Sequence, residues 1–289
     1  MPLNQDKLQS PIRKLRKSLK KPPSQPSPEQ VHKLRTRSRR VQAIMAALSL
    51  EQQRDARRML NAISSIRKKA GKVRDMDVLM GHAATLHDHG EEECLIQLLE
   101  HLGSERSRLS RKLVDTIQKE GETARRGLKD YSEAIRNLSG TSEKNSVNLQ
   151  EPTAVALGIS AEISAWPKLN RGNLHAFRLK IKELQYILQL AEAPDRSFIS
   201  SLGQVKDAIG EWHDWYQLAE LSGAIFGYNR LKLVQYIREI VETKLQRALT
   251  LANRTRRRYF AQPRIGTHRR KSPASLNESA IATAAKLVA

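Results

Sequence analysis

Residues 32–48, HKLRTRSRRVQAIMAAL, decide the fold class, because their apolar residues recur at the three-and-four spacing of an α-helix. On a helical wheel of about 100° per residue, Arg35 and Arg39 fall on the same side as His32. The opposite side carries the apolar residues Leu34, Val41, Ile44, Met45 and Leu48. The stretch therefore predicts a helix with one cationic face and one apolar face.

A second stretch repeats this arrangement. Residues 175–182, HAFRLKIK, place a base at the third, fifth and seventh positions after a histidine, as residues 32–39 do. The wheel groups three polar residues on one side: His175, Arg178 and Lys182. It groups the apolar residues on the other: Phe177, Leu184, Ile187 and Leu188. The remaining repeated bases, Arg37 and Lys180, lie off the cationic side, so we do not place them in the site.

A further pair of motifs supports an internal duplication. Residues 71–75, GKVRD, correspond to residues 210–214, GEWHD, at an offset of 210 − 71 = 139, close to the 175 − 32 = 143 of the histidines. Two motifs at nearly one offset predict a tandem repeat of two helical bundles. Arg74 is a further candidate ligand, whereas we expect Asp75 and Asp214 to orient the bases beside them.

The rest of the chain follows the same helical pattern, and aromatic residues make up only 4% of it. We predict an all-α protein of two tandem four-helix bundles related by pseudo-twofold symmetry. The segments are an N-terminal helix and Pro/Ser-rich linker packing with the first bundle (1–28), the first half (29–139), a polar linker (140–151), the second half (152–260) and a basic, disordered tail (261–289).

Turn-forming residues place the helix boundaries. A helix runs from about Gln5 to Lys20, and SPEQ at 27–30 predicts the N-cap of the next, which reaches about Leu48. A helix from Glu51 to Met80, interrupted near Gly71, precedes two more before Gly140. Breaks in the second half are predicted at Gly172, Pro194 and Gly227, and a weak helix at 278–288.

The charge of the chain predicts an anionic partner. Lys and Arg number 51 against 30 Asp and Glu, a formal net charge of +21. The single cysteine, Cys94, leaves no intramolecular disulfide. No apolar run reaches the length of a signal peptide or of a membrane span. We therefore expect a cytoplasmic protein with no membrane span.

The motif faces have the chemistry that binds phosphate. Arginine offers a rigid fork of donors to phosphate oxygens, and lysine supplies a compact charge. Histidine adds a donor that titrates near neutral pH and gains charge beside a phosphate. A row of such side chains along a helix suits a polymer of repeated phosphates.

The two motif pairs resemble those of the CHAD domain, the conserved histidine α-helical domain. The resemblance rests on VHKLRTRSRR with GKVRDMDVL and on LHAFRLKIKELQY with GEWHDW, and it spans about residues 5–260. It implies two four-helix bundles around a central basic cavity that binds inorganic polyphosphate, with some members associated with polyphosphate granules. The implied ligands are His32, Arg35, Arg39, Arg40, His175, Arg178 and Lys182, with Arg74 as an addition.

The chain also departs from the family pattern. Family members usually carry another base where this chain has Gln42 and Gln185, and Glu183 stands where the first copy has Arg40. Some members carry an appended triphosphatase domain with an ExExK signature, which is absent from this chain. We therefore expect a binding protein and not an enzyme.

Other functions stay open from the sequence. The basic faces and the C-terminal arginines could hold an RNA or DNA backbone nonspecifically, although the tryptophans are not interleaved with the basic motifs. A histidine phosphotransfer module is a remote alternative at His32. The cluster from His87 to Glu93 does not have the spacing of a metal site. The sequence has no Gly-rich phosphate loop and no nucleophile elbow. We expect no metal and no cofactor.

Overall fold

The computed structural model describes residues 5–47, 54–86, 91–138, 152–189, 195–227 and 232–260, and every regular element in these ranges is helical. The chain is therefore all-α, as predicted. The α-helices in order are α1 (Gln5–Ser18), α2 (Pro28–Ala47), α3 (Arg54–Ala83), α4 (Glu92–Leu138), α5 (Pro152–Ser164), α6 (Leu174–Leu188), α7 (Arg196–Phe226) and α8 (Lys232–Tyr259). A short 3-10 helix, Ala84–Leu86, follows α3.

The start of α2 is fixed by a capping box. The backbone N–H of Gln30 donates to Oγ of Ser27 at 3.3 Å, and the N–H of Ser27 donates to Oε1 of Gln30 at 2.8 Å. Pro28 is the first helical residue, where its missing N–H costs nothing. The N-cap predicted from SPEQ is confirmed.

The predicted interruption of α3 and the predicted division of the segment before Gly140 are both wrong. Helix α3 continues through Gly71. A single 47-residue helix, α4, takes the place of the two predicted helices. Glycine costs a helix about 1 kcal/mol relative to alanine, whereas burying one large apolar side chain contributes about 1.5–3 kcal/mol. Helix α4 buries apolar residues along its length: Leu98, Leu102, Leu113, Ile117, Ala124 and Leu128.

The breaks predicted in the second half are confirmed where the structure describes them. Helix α6 begins just after Gly172, at Leu174. Pro194 lies outside the described residues, and α7 begins beyond it, at Arg196. Gly227 follows α7 with a φ of 87°, the left-handed conformation that glycine adopts at helix ends. The predicted linker at 140–151, the tail from residue 261 and the weak helix at 278–288 lie outside the described residues.

The chain forms two compact units. The first, here the N-terminal unit, comprises Gln5–Leu149 and Glu211–Thr243. The second, here the C-terminal unit, comprises Met1–Asn4, Gln150–Gly210 and Lys244–Ala289. The division passes within α7 and within α8. The segment boundaries and the pseudo-twofold symmetry inferred from the sequence stay predictions.

In the N-terminal unit, α3 packs along α4, and α1 and α2 complete the bundle. The largest fully buried side chains come from all four helices: Ile12, Leu15, Ile44, Met45, Met59, Ile63, Ile66, Leu98, Leu102 and Leu113. Gly127 of α4 lies directly against Met59 of α3, where a β-carbon would be 2.7 Å from the Met59 side chain. This glycine allows the two helices to approach closely.

In the C-terminal unit, α5 packs on α6, and aromatic residues extend the core. Trp166 meets Phe177 edge-on with ring centroids 5.7 Å apart. Phe198 lies 4.8 Å from the ring of Tyr259. The first contact joins the segment after α5 to α6, and the second joins the first part of α7 to the end of α8. In the described ranges, no helix is both long enough and apolar enough to cross a membrane.

Candidate functional site: two cationic helix faces

Helix α2 has the two faces that the wheel predicts. The apolar residues Leu34, Val41, Ile44 and Met45 are buried, and Leu48 lies outside the described residues. On the cationic side, His32 and Arg40 are exposed, whereas Arg35 and Arg39 are half-buried. The four predicted ligands of the first copy therefore lie on the side of α2 away from its core contacts.

Arg35 reaches from α2 to the point on α3 where the GKVRD motif begins, at Gly71. A β-carbon at Gly71 would lie 3.7 Å from Nε of Arg35, so the arginine passes over the glycine at van der Waals distance. Arg67 lies one turn before Gly71 on α3. Burial lowers the pKa of Arg67, and the charge of Arg35 lowers it further, which indicates that the two arginines are close. Arg35 thus lies among α3 residues that carry positive charge.

His32 belongs to the same group. Burial lowers the pKa of His32 below its ordinary value of 6.5, and the charges of Arg74 and Arg35 lower it further. Four cationic or titratable side chains from two helices therefore gather in one place. We name them the first cation cluster: His32, Arg35, Arg67 and Arg74.

Arg67 was not among the residues selected from the sequence. It stands four positions before Gly71, and in the second copy Lys206 stands four positions before Gly210. Residues four and seven apart share a helix face, so Arg67, Gly71 and Arg74 form one stripe on α3. A base at that spacing in both copies is the signal that would have identified Arg67.

The second copy shows the same relation between arginine and glycine. Arg178 of α6 lies against Gly210 of α7, where a β-carbon would be 2.5 Å from Nη2. Nε of Arg178 also donates to the backbone carbonyl of Lys206 at 3.0 Å. Arg178 and Gly210 correspond to Arg35 and Gly71 in the sequence repeat. The duplicated motifs are therefore matched by a duplicated contact.

His175 lies beside Arg178, but Lys182 is placed differently from the wheel prediction. Burial lowers the pKa of His175, and the charge of Arg178 lowers it further. Lys182 is buried, with 6% of its surface exposed. Its neighbours Ile181, Leu184 and Gln185 are buried as well, so α6 is covered over more of its circumference than a one-sided helix. We name the solvent-accessible pair, His175 and Arg178, the second cationic face.

The two bases left off the stripe have other partners. Arg37 donates to Oγ of Ser18 and so joins α2 to α1. Lys180 forms ion pairs with Glu162 at 2.7 Å and with Glu183 at 3.5 Å. Glu183, which replaces the Arg40 of the first copy, is thus engaged by Lys180.

The glutamine that departs from the family pattern in the second copy has a structural contact. Gln185 is buried, and its amide donates to the carbonyl of Ile199 at 3.3 Å. A bond of this kind joins α6 to α7. A buried base at this position would need an anionic partner, which a backbone carbonyl supplies only in part.

Other sequence candidates have contacts of their own. Nδ1 of His213 is 4.0 Å from Oδ1 of Asp214, at the outer limit of an ion pair. Arg256, one of the arginines considered for nucleic-acid binding, instead donates to the carbonyls of Ser164, Trp166 and Pro167 after α5. No group of three potential metal-binding side chains occurs in the described ranges, and residues 87–90 of the His/Glu-rich segment lie outside them.

Comparison with known proteins shows the family of this chain. The family model of the CHAD domain matches residues 8–222, and the chain therefore belongs to the CHAD domain family. Among solved structures, the chain is similar to the CHAD domain from the plant Ricinus communis, at a TM-score of 0.59 and 13% identity, covering 88% of this chain and 86% of that one. It is also similar to PptA from Streptomyces chartreusis, at a TM-score of 0.57 and 13% identity, covering 89% and 99%. Curated proteins give no significant match.

Proposed function

We propose that this protein binds inorganic polyphosphate through its cationic helix faces and does not break the bond to phosphorus. The observation that carries the proposal is the first cation cluster. Burial lowers the pKa of His32 and that of Arg67, and neighbouring arginines lower both further, so these positive charges lie close enough to repel one another. A bound polyanion would relieve that repulsion.

The geometry of the arginines suits phosphate. Arginine side chains from two helices present planar sets of donors, which match phosphate oxygens. Arg178 is oriented by the carbonyl of Lys206 and by its packing on Gly210, and an oriented side chain loses less conformational entropy on binding. In the first copy Arg35 passes over Gly71 at the corresponding position, at van der Waals distance.

The location follows from the ligand. A protein that holds polyphosphate would be found in the cytoplasm at polyphosphate granules, as the family resemblance implies. Fluorescence imaging of the tagged chain, in cells with and without polyphosphate, tests this part of the proposal. Foci that persist in cells lacking the polymer would contradict it.

The direct test is a binding measurement with matched variants. Long-chain polyphosphate, single-stranded RNA and duplex DNA of equal charge are titrated into the protein at two salt concentrations. The Arg35→Gln/Arg67→Gln/Arg178→Gln variant should lose most of its preference for polyphosphate. Its salt dependence should also weaken, by about 0.7 in log–log slope per lost contact if polyphosphate behaves as a single strand.

The control removes the same charge elsewhere. Arg111, Lys112 and Lys119 are exposed on α4, and their triple replacement by Gln should leave the preference for polyphosphate intact. Equal losses in both variants would show that only net charge matters and would overturn the site. Release of inorganic phosphate, or shortening of the polymer on a gel, would contradict the non-catalytic part.

A further inference from the structure

A second concave surface lies in the N-terminal unit, on a different side of α2 from the first cation cluster. It is a cavity of about 220 Å³ between α1, the proline-rich connection to α2, α2 itself and α4. Its apolar lining comes from α2 and α4: Val31, Leu34, Leu113, Val114 and Ile117. Prolines 22, 23 and 26 form a wall of the same cavity.

Four cations also line this cavity: Lys17, Lys21, Lys33 and Arg37. None of the described residues that line it is acidic. Arg37 is oriented by its bonds to α1, to Oγ of Ser18 and to the carbonyl of Lys14. Lys33 pairs with Glu29 at 2.5 Å, but both side chains are exposed at 51% and 74%, so this ion pair competes weakly with a bound anion.

We infer that this cavity binds an amphiphilic anion, with a hydrocarbon chain on the apolar lining and a carboxylate or phosphate head among Lys17, Lys21, Lys33 and Arg37. A bare phosphate polymer makes no use of the apolar lining, since its charged groups are costly to move from water onto apolar surface. A hydrocarbon chain gains from that burial. The chemistry therefore selects a ligand that is apolar at one end and anionic at the other.

The volume sets the length of the chain. An apolar cavity of about 150 Å³ is large enough to bind benzene, so a cavity of about 220 Å³ admits a medium-length hydrocarbon chain. Affinity should rise about fourfold for each methylene until the cavity is full and then level off. This proposal does not depend on polyphosphate binding.

The test uses the full chain and a series of straight-chain carboxylates. Hexanoate, octanoate and decanoate are titrated by calorimetry below the concentrations at which they form micelles, with octanol and inorganic phosphate as controls. Saturable binding that strengthens with chain length and exceeds that of octanol and of phosphate is expected. Equal binding of octanol, or of phosphate alone, would overturn the inference.

Variants separate this cavity from the polyphosphate site. Val114→Phe fills the cavity and should remove octanoate binding while leaving polyphosphate binding unchanged. Lys17→Gln/Lys21→Gln changes only exposed lysines, so it should fold, and it should weaken octanoate binding severalfold. Arg35→Gln/Arg67→Gln should have no effect on octanoate. Unchanged octanoate binding in the lysine variant would overturn the inference.

One further arm distinguishes a free amphiphile from a membrane lipid. Vesicles of phosphatidylcholine with and without an anionic lipid are mixed with the protein and sedimented. A free amphiphile predicts octanoate binding without enrichment on anionic vesicles. Sedimentation with anionic vesicles that Val114→Phe does not reduce, together with no binding of octanoate, would show a charged surface without a ligand cavity.

Discussion

The guanidinium group of Arg178 lies on Gly210, so closely that a β-carbon at position 210 would be 2.5 Å from Nη2. At the matching contact of the first copy, a β-carbon at Gly71 would be 3.7 Å from Nε of Arg35. The first distance is too short for any real contact, whereas the second is an ordinary van der Waals contact. A methyl group therefore fits beside Arg35 in the first copy, whereas in the second copy the guanidinium group of Arg178 must move to admit one.

The first prediction uses this difference. Gly210→Ala should displace Arg178, break its bond to the Lys206 carbonyl and weaken polyphosphate binding. Gly71→Ala should leave binding unchanged and raise the free energy of unfolding by up to about 1 kcal/mol, because alanine favours a helix interior. Binding titrations and urea denaturation of both variants test this. Equal effects of the two substitutions on binding would show that the Arg178–Gly210 contact does not position the arginine.

The second prediction concerns the pH dependence of binding. Burial and neighbouring arginines lower the pKa of His32 and of His175 below 6.5 in the free protein, so both are neutral at pH 7. Bound phosphates would raise both pKa values. The complex then binds more protons than the free protein, and affinity rises as the pH falls through the raised values, levelling off below the values of the free protein.

Titrations of long-chain polyphosphate from pH 8 to pH 5.5 test whether affinity rises as the pH falls. Internal phosphates keep their charge over that range, so the change comes from the protein. The His32→Gln/His175→Gln variant should have a flatter profile. A steeper dependence in the variant, or affinity that rises with pH in the wild type, would contradict the assignment of the two histidines.

The same lowered pKa values predict that the stability of the unliganded protein decreases as the pH falls, whereas its affinity for polyphosphate increases. The unfolded chain takes up protons near the ordinary value of 6.5, before the folded protein does. The free energy of unfolding of the unliganded protein should therefore fall as the pH falls through 6.5, towards the lower values of the folded state. Urea denaturation at pH 7.5 and 5.5 measures this, and the double Gln variant should lose part of the difference.

Local sequence patterns predicted those parts of the fold that depend on neighbours along the chain. The buried faces of α2 and α6 follow from helical spacing, and the capping box of Ser27 and Gln30 follows from residue types three apart. The unbroken length of α4 was not predictable in the same way. Its glycines are outweighed by burial against other helices, including the contact of Gly127 with Met59.

The candidate site was also predicted where it depends on local spacing, and not where it depends on the packing of helices. The wheel placed His32, Arg35 and Arg178 on cationic faces, where the structure has them accessible or half-buried. It did not predict the burial of Lys182, because that depends on how far packing covers α6. The repeated spacing of Arg67 and Lys206 could have marked Arg67 as a candidate, but its proximity to Arg35 arises from the packing of α3 on α2.

The third prediction tests the close approach of α3 and α4. Gly127→Ala would place a β-carbon 2.7 Å from the side chain of Met59, near its root and not at its flexible end. Overpacking of this kind costs about 1–3 kcal/mol, against a gain of about 1 kcal/mol in helix propensity. We expect a net loss of stability in urea denaturation.

Gly103, in the same helix, is the matched control, because a β-carbon there would meet nothing within 4 Å. Gly103→Ala should raise the free energy of unfolding by up to about 1 kcal/mol. Stabilisation by both substitutions would mean that the contact between Gly127 and Met59 is looser than the structure has it.

The fourth prediction separates the structural arginine of α8 from its neighbours. Arg256 is half-buried, burial lowers its pKa, and it donates to three backbone carbonyls that follow or end α5. Arg256→Gln should lower the free energy of unfolding by about 1–3 kcal/mol, because three carbonyls, two of them in part-buried bonds, lose a charged donor. The exposed Arg257 supplies the control, and Arg257→Gln should change stability by less than about 0.5 kcal/mol. RNA titrations provide a second measurement. If RNA binds this region of the protein, Arg257→Gln should weaken that binding, whereas Arg256→Gln should lower stability and leave RNA binding to the folded protein unchanged. The reverse pattern, with weaker RNA binding and unchanged stability in Arg256→Gln, would show that Arg256 is a ligand for nucleic acid and not an anchor for α5.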